Sequence, residues 1–340
     1  MDKVRVGLLG TGIIIRDFHL PILENHPQAE VVAAANLHPE SLRQLVQKHG
    51  IPRAYTDLQA MADDPDVDAV VVGLPNYLHA PATIQMLEAG KHVLCEKPMA
   101  LSAAEAQAMI AASRRAGRKL MIAHMWRFDR EILWLRDLVL SGALGQIFKL
   151  KSHAIWLYEG PPPGAWFLAP DLAGGGALAD MGIHSIDTLH YVLGDVRPVR
   201  VFANVGTHFR DIELDDTATV LIEFEGGIVG LIEAGWYHLY ADGLEGYTQV
   251  YGTKGYARAL PAELHTHVAG VWSVSRPQMP ARKQQCDLPM YEAQMDHFLR
   301  CILEDREPSP GGEEGLWAMR VLEAAYRSAA IGQAVEIAQV

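Results

Sequence analysis

The chain has 340 residues, 49% of them hydrophobic and 21% charged, with a net charge of -12. That length suits about two domains. The acidic balance excludes a general nucleic-acid binder, and no apolar run approaches the roughly 20 residues that span a bilayer. Cys95, Cys286 and Cys301 are odd in number, far apart and without zinc spacing; together with an N-terminus that lacks a signal-peptide layout, they lead us to expect a reduced, cytoplasmic protein.

Val4–Leu9 reads as a short apolar strand that runs straight into Gly10-Thr11-Gly12. Helical text follows from Ile13 to about Asn25, then a strand at Glu30–Ala35, a helix at Pro39–His49 and a short strand around Ala54–Tyr55. Asp57–Asp63 opens with an acidic residue suited to a helix start. Val67–Leu74 is nearly all apolar, as a strand covered on both faces must be. Pro81–Ala89 is a helix stopped by Gly90, and Val93–Cys95 is a fifth strand. Ser102–Ala116 is a helix with Ser102 and Glu105 placed as a capping box, and Leu120–Ala123 is a sixth strand. The alternation predicts a doubly wound parallel α/β sheet, a Rossmann domain, over residues 1–123.

After one more helix, Asp129–Ser141, the texture changes. Strands are predicted at Ile147–Leu157, Val199–Val205, Thr217–Phe224, Ile228–Tyr237 and Thr248–Gly252, with a hairpin turn at Glu225-Gly226-Gly227. One helix interrupts at about Ala177–Val192, and helical stretches at Tyr291–Leu303 and Gly312–Ile331 close the chain. Pro161-Pro162-Pro163-Gly164 reads as a stiff loop. Residues 124–340 are therefore expected to form a second, α+β domain with a mostly antiparallel open sheet, its last helix a candidate to pack back on the first domain.

Gly10-Thr11-Gly12 lies between strand and helix, the context that a dinucleotide fingerprint needs. The first glycine makes the tight turn and the second lets backbone approach a pyrophosphate. The third fingerprint position is Ile15, which predicts looser helix–strand packing or a shifted register. The second strand ends in Asn36-Leu37-His38 where NAD sites usually carry an acid. Asn36 can bond a ribose hydroxyl without repelling a 2′-phosphate, and His38 can lie beside that phosphate, so NAD and NADP both stay open.

Further polar residues follow strand ends. Asn76 and His79, after the fourth strand, are placed at the same crevice as Lys97, which follows the fifth in Glu96-Lys97-Pro98. An ammonium there stands near the nicotinamide end of a dinucleotide, the alternative being an ordinary solvated lysine. Arg127, after the sixth strand, suits either a substrate or a domain-crossing salt bridge. Gly174-Gly175-Gly176 permits close backbone approach to another body, with cofactor or substrate the candidates. Asp180, His184 and Asp187 then share one helix face at i, i+4 and i+7. That face is open to three readings: a helix cap with a core histidine, a proton relay of a histidine between carboxylates, or a divalent-metal site. Trp156, Tyr158 and Trp166 are candidates for a sugar-stacking wall or for core.

Taken together, GLLGTG at 7–12, PNYLHAP at 75–81, CEKPMALS at 95–102, GGGALADMGIHSID at 174–187 and YRSAAIGQAVEI at 326–337 resemble the Gfo/Idh/MocA family, the glucose–fructose oxidoreductase and inositol dehydrogenase group, over essentially the whole chain. The resemblance implies a Rossmann domain followed by a domain with an open, mostly antiparallel sheet. It implies an NAD(P)-dependent dehydrogenase acting on a secondary alcohol of a sugar, cyclitol or polyol, with no metal. Lys97, Asp180 and His184 would be the catalytic set, with Asp180 orienting the imidazole. Cofactor contacts are expected from Gly10, Thr11, Gly12, Ile13, Ile14, Asn36, His38, Leu74, Pro75, Asn76, His79, Glu96, Lys97 and Arg127. Substrate contacts are expected from Lys97, Arg127, Tyr158, Trp166, Asp180 and His184, with specificity from the loops 158–168 and 235–247. The unprotected sheet face predicts a homodimer or homotetramer. Two alternatives accompany this reading: recycled nicotinamide driving glycoside cleavage or epimerisation, and a non-enzymatic cofactor sensor.

Overall fold

The computed structural model describes residues 3–158, 164–237, 246–280 and 287–339. The expected stiff loop at Pro161–Pro163, Cys286 and most of the second specificity loop lie outside the described residues. The first sheet contains β1 (Val4–Leu9), β2 (Ala29–Ala35), β3 (Arg53–Tyr55), β4 (Ala69–Val72), β5 (His92–Cys95) and β6 (Leu120–Ile122), in the order 3-2-1-4-5-6 and all parallel. β4 is buried along its whole length because helices cover both faces, as its unbroken apolar text requires. The strand order reverses between β1 and β4, and sheets of this kind take their ligands in the crevice at the carboxyl ends of the strands beside such a reversal.

The second sheet has nine strands: β7 (Ile147–Trp156), β8 (Pro198–Gly206), β9 (Thr217–Phe224), β10 (Ile228–Trp236), β11 (Gly246–Gly252), β12 (Gly255–Ala259), β13 (Glu263–Val268), β14 (Val271–Ser275) and β15 (Val335–Glu336). Their order is 14-13-12-11-7-10-9-8-15. All pairs are antiparallel except β7 with β10 at the centre. The outer strands β12 to β14 and the two-residue β15 had no sequence signal. β14 is exposed throughout, so nothing imposes an apolar alternation on it.

Two helices tie the sheets together. Gly312–Ile331 buries Leu316, Met319, Leu322 and Ala325; its Glu323 accepts from the Ala103 N–H at 2.6 Å, while its Ser328 Oγ accepts from the Ala203 N–H at 3.0 Å. It therefore holds one residue from each half. The second is the predicted 177–192 helix, which opens as a π turn at Leu178–Gly182 and continues as an α-helix at Ile183–Val192. Among the described residues no helix is long and apolar enough to cross a membrane.

Arg127 leaves the end of β6 and meets that second helix. Its guanidinium is buried and grips Asp187, with Nε at 3.0 and 2.9 Å from the two oxygens and Nη2 at 2.7 Å from Oδ1. Tyr191 supplies a ring face 4.8 Å away. Arg127 thus forms the domain-crossing salt bridge, its guanidinium held in a desolvated pair with Asp187. Burial opposes the charge of Asp187, but the guanidinium prevails and holds the carboxyl below its usual range. Arg127→Ala strands a buried carboxylate and should cost about 3–5 kcal/mol, read as a lower urea midpoint. Replacing both partners with Met and Leu of similar volume should recover most of that loss; an unchanged midpoint in Arg127→Ala would show that the pair carries no weight.

Candidate active site

The glycine loop joins β1 to a π turn at Ile14–His19. Gly10 has φ +105°, and a Cβ there would sit 2.4 Å from the Gly73 carbonyl at the end of β4. Gly12 differs: a Cβ would meet nothing within 4 Å, so its backbone faces open space that a pyrophosphate fits. Ile15 does not loosen the packing as its size predicted. It is fully buried, and the small residue sits opposite it instead, since a Cβ on Gly73 would lie 2.6 Å from Ile15 Cγ1. The close helix–strand approach is kept with the bulk on the other partner. Thr11 and Ile14 are half-buried at the crevice, Ile13 is exposed, Leu74 is buried and Pro75 half-buried.

At the end of β2, Asn36 Nδ2 donates to Thr11 Oγ1 at 2.6 Å and to Ser41 Oγ at 2.9 Å. Thr11 donates to Ser41 at 3.1 Å, and Ser41 donates to the His38 carbonyl at 3.1 Å. The His38 ring is exposed. Ser41 was not anticipated, since a serine in the first turn of a helix carries no distinctive signal.

The stretch Glu96-Lys97-Pro98 is braced from inside. Glu96 is buried and accepts from His19 Nε2 at 2.7 Å and from the Lys97 N–H at 3.2 Å. Burial would raise its carboxyl, but the hydrogen bond and charge of His19 outweigh it and hold the group below its usual range. His79 places Nδ1 2.8 Å from the Pro98 carbonyl and Nε2 2.8 Å from the Leu74 carbonyl. Both side chains are engaged by protein groups and fix the backbone that carries Lys97. Asn76 donates to the Ala173 carbonyl at 2.8 Å and joins the same crevice to the second half.

Lys97 Nζ donates to Asp180 Oδ1 and to the Asp180 carbonyl, both at 2.9 Å. The remaining oxygen, Oδ2, accepts from Tyr158 OH at 2.9 Å and from Trp236 Nε1 at 3.0 Å. Asp180 therefore anchors Lys97: its carboxylate oxygens bond to Lys97, Tyr158 and Trp236, and among the described residues no hydrogen bond joins it to His184. His184 lies one turn on, buried, with its ring stacked on Trp126 at 5.0 Å and 21°. Among the described residues its Nδ1 has no hydrogen-bond partner. Burial, then the nearby charges of Lys97 and His124, hold His184 well below the ordinary imidazole range, so it is neutral at physiological pH. The expected helix face is real, but its three polar residues turn to three separate partners, Lys97, Trp126 and Arg127.

Gly174–Gly176 does approach another body closely, and that body is the protein itself. A Cβ on Gly176 would lie 1.9 Å from the Asp215 carbonyl. The Asp215 carboxylate accepts from Gly176 and Leu178 N–H at 2.9 and 2.8 Å and from Tyr326 OH at 2.8 Å, capping the helix start across 37 residues of chain. Trp236 and Phe167 stack at 5.1 Å as core; Tyr158 and Trp166 remain half-exposed beside them. Asp215 and Trp236 escaped the sequence reading because their partners are remote in the chain.

A Rossmann crevice with an open glycine loop, a lysine at a strand end and a neutral histidine beside it belong to a nicotinamide-dependent oxidoreductase. Residues 4–124 match the oxidoreductase family with NAD-binding Rossmann fold, and residues 132–258 match the GFO/IDH/MocA C-terminal domain. The chain belongs to the GFO/IDH/MocA family. It is 30% identical to the 1,5-anhydro-D-fructose reductase of Ensifer adhaerens, covering 98% of each chain. The aldose-aldose oxidoreductase of Caulobacter crescentus, solved with glycerol, is 33% identical with a TM-score of 0.84, covering 98% of this chain and 99% of that one. Levoglucosan dehydrogenase in complex with NADH and L-sorbose shares the fold, with a TM-score of 0.89 at 22% identity over 99% of both chains. Gly12→Val should leave the fold intact, since its Cβ has room, yet block dinucleotide binding. Calorimetry showing unchanged NAD and NADP affinity in the folded variant would remove the glycine loop from the cofactor site.

Proposed function

We propose that the protein moves a hydride between a nicotinamide dinucleotide and the secondary carbinol carbon of a sugar, cyclitol or related polyol, at a centre formed by Lys97, Asp180 and His184. The observation that carries this reading is the 2.9 Å contact between Lys97, from the end of β5, and Asp180, from the helix over the second sheet. The nicotinamide, when bound, supplies the hydride donor or acceptor. The ammonium of Lys97 has three N–H groups and spends two on Asp180. The third is free for the substrate oxygen, where its charge stabilises a developing alkoxide. His184 is neutral and takes the carbinol proton. Its depressed basicity makes the imidazolium a ready acid, which returns the proton when a ketone is reduced. The half-exposed rings of Tyr158 and Trp166 supply faces for sugar C–H groups.

The substrate class draws on the relatives, one a reductase of an anhydro-sugar and one an oxidoreductase between aldoses. The latter name supports a second reading, in which one sugar is oxidised and another reduced with no net change in cofactor. A panel of polyols and aldoses, offered singly and in pairs with each cofactor and followed by NAD(P)H absorbance and sugar analysis, separates the two. No turnover of any member would reject both.

The ribose corner favours NAD. The His38 carbonyl can only accept, so the single Ser41 proton goes there, and the Thr11 proton goes to Ser41. Both Asn36 amide hydrogens are then consumed, and Asn36 Oδ1 is left as an acceptor. A ribose hydroxyl can donate to it; a 2′-phosphate cannot. The free, buried Cys95 and Cys301 fit a cytoplasmic setting.

Lys97→Ala and His184→Ala should each lower kcat by ~10²–10⁴-fold with dinucleotide affinity nearly unchanged. The double variant should lose far less than the product of the two, because the groups act as a unit. Near-normal kcat in His184→Ala would end the assignment.

The open face of the second sheet supports a homodimer or homotetramer. Phe202 and Leu221 are neighbours across β8 and β9, 46% and 43% exposed, while Tyr251, Tyr256 and His265 stack across β11 to β13. Light scattering at micromolar concentration should report a dimer or larger, and Leu221→Lys should lower the mass. A wild-type monomer would contradict this.

A further inference from the structure

Asp180 Oδ2 accepts two hydrogen bonds from groups outside its own helix, and neither belongs to the reacting set. Both donors stand at the ends of adjacent central strands. Trp236 closes β10, Tyr158 lies two residues past the end of β7, and those strands pair in parallel with Trp236 opposite Trp156. The two donors differ in kind. A phenol can rotate and can accept as well as donate; an indole N–H only donates. The Trp236 indole is also immobile. It has no exposed surface, stacks on Phe167 at 5.1 Å, meets Tyr158 edge-on at 5.9 Å, and its backbone N–H is held by the Asp216 carbonyl at 2.8 Å.

We propose that Trp236 is a positioning residue for the hydride-transfer centre. Its indole N–H holds the Asp180 carboxylate turned so that Oδ1 accepts from Lys97, leaving Lys97 with one N–H for substrate. The inference rests on the hydride-transfer reading of this site. A charge-assisted bond to a packed ring restricts the carboxylate's rotation. Without it, one oxygen depends on the Tyr158 hydroxyl alone. The groups that face Asp180 are Lys97, Tyr158 and Trp236, with His184 one turn along the same helix.

Trp236→Phe keeps an aromatic ring in the stack and removes only the N–H. In the wild-type protein the Trp236 indole ¹⁵N–¹H signal, assigned by its loss in Trp236→Phe, should move in Asp180→Asn; this readout needs no turnover. In kinetics, Trp236→Phe should lower kcat about tenfold while leaving NAD affinity and substrate KM within about twofold, because the variant changes how Lys97 is presented and not what binds. Tyr158→Phe, which removes the other donor to the same oxygen, should lower kcat in the same way and carries the test if Trp236→Phe does not fold. An indole signal unmoved in Asp180→Asn overturns the contact. An unchanged kcat in the folded variants overturns the positioning role. Absence of turnover in the wild-type protein would count against hydride transfer, while the indole signal would still test the contact.

Discussion

The contact that the rest of the structure serves is the ion pair of Lys97 with Asp180. One partner comes from a parallel sheet, the other from a helix on a separate, mostly antiparallel sheet, and the two stand 83 positions apart in the chain. Each side chain is only 17% exposed, so each charge has lost much of its water and depends on the other. Such a pair contributes little to net stability but is strict about geometry: displacement of either partner leaves a poorly solvated charge. The pairing of Lys97 with Asp180 therefore exists only while the two sheets keep their mutual position.

Much of the buried polar chemistry keeps that position. On the Lys97 side, Glu96 with His19 and His79 with two carbonyls hold the backbone on either side of the lysine. On the Asp180 side, Asp215 and Tyr326 cap the helix start, and Trp236 and Tyr158 clasp the carboxylate. Between them Arg127 and Asp187 close a second, fully buried pair. His184 is left out of these pairings, which is why burial can keep it neutral and available.

Most of the fold was legible in the sequence. The βα alternation announced the first sheet because strands covered on both faces must be apolar and helices must be capped; Ser102 caps as expected, and Gly312–Ile331 has the bounds its text predicted. The strands at Thr217–Phe224 and Ile228–Trp236 were visible because one face of that sheet is buried and enforces alternation. β14 was invisible because neither of its faces is buried. Gly10 and Gly12 announced the dinucleotide loop, while the role of Gly73 in accommodating Ile15 did not appear, since it depends on a strand 58 residues further on.

Local text thus determined which residues are chemically capable: Lys97 at a strand end, Asp180 and His184 on one helix face, Asn36 at the end of the second strand. Assignment of their partners belonged to the tertiary structure. Arg127 and His79 looked like ligands by position and are consumed by Asp187 and by backbone carbonyls; Asp180 looked like the support of His184 and is claimed by Lys97, Tyr158 and Trp236. The physical reason is that each group has a limited number of donor hydrogens and acceptor sites. Which donor reaches a given carboxylate first is a matter of three-dimensional proximity, and spacing along the chain does not record it.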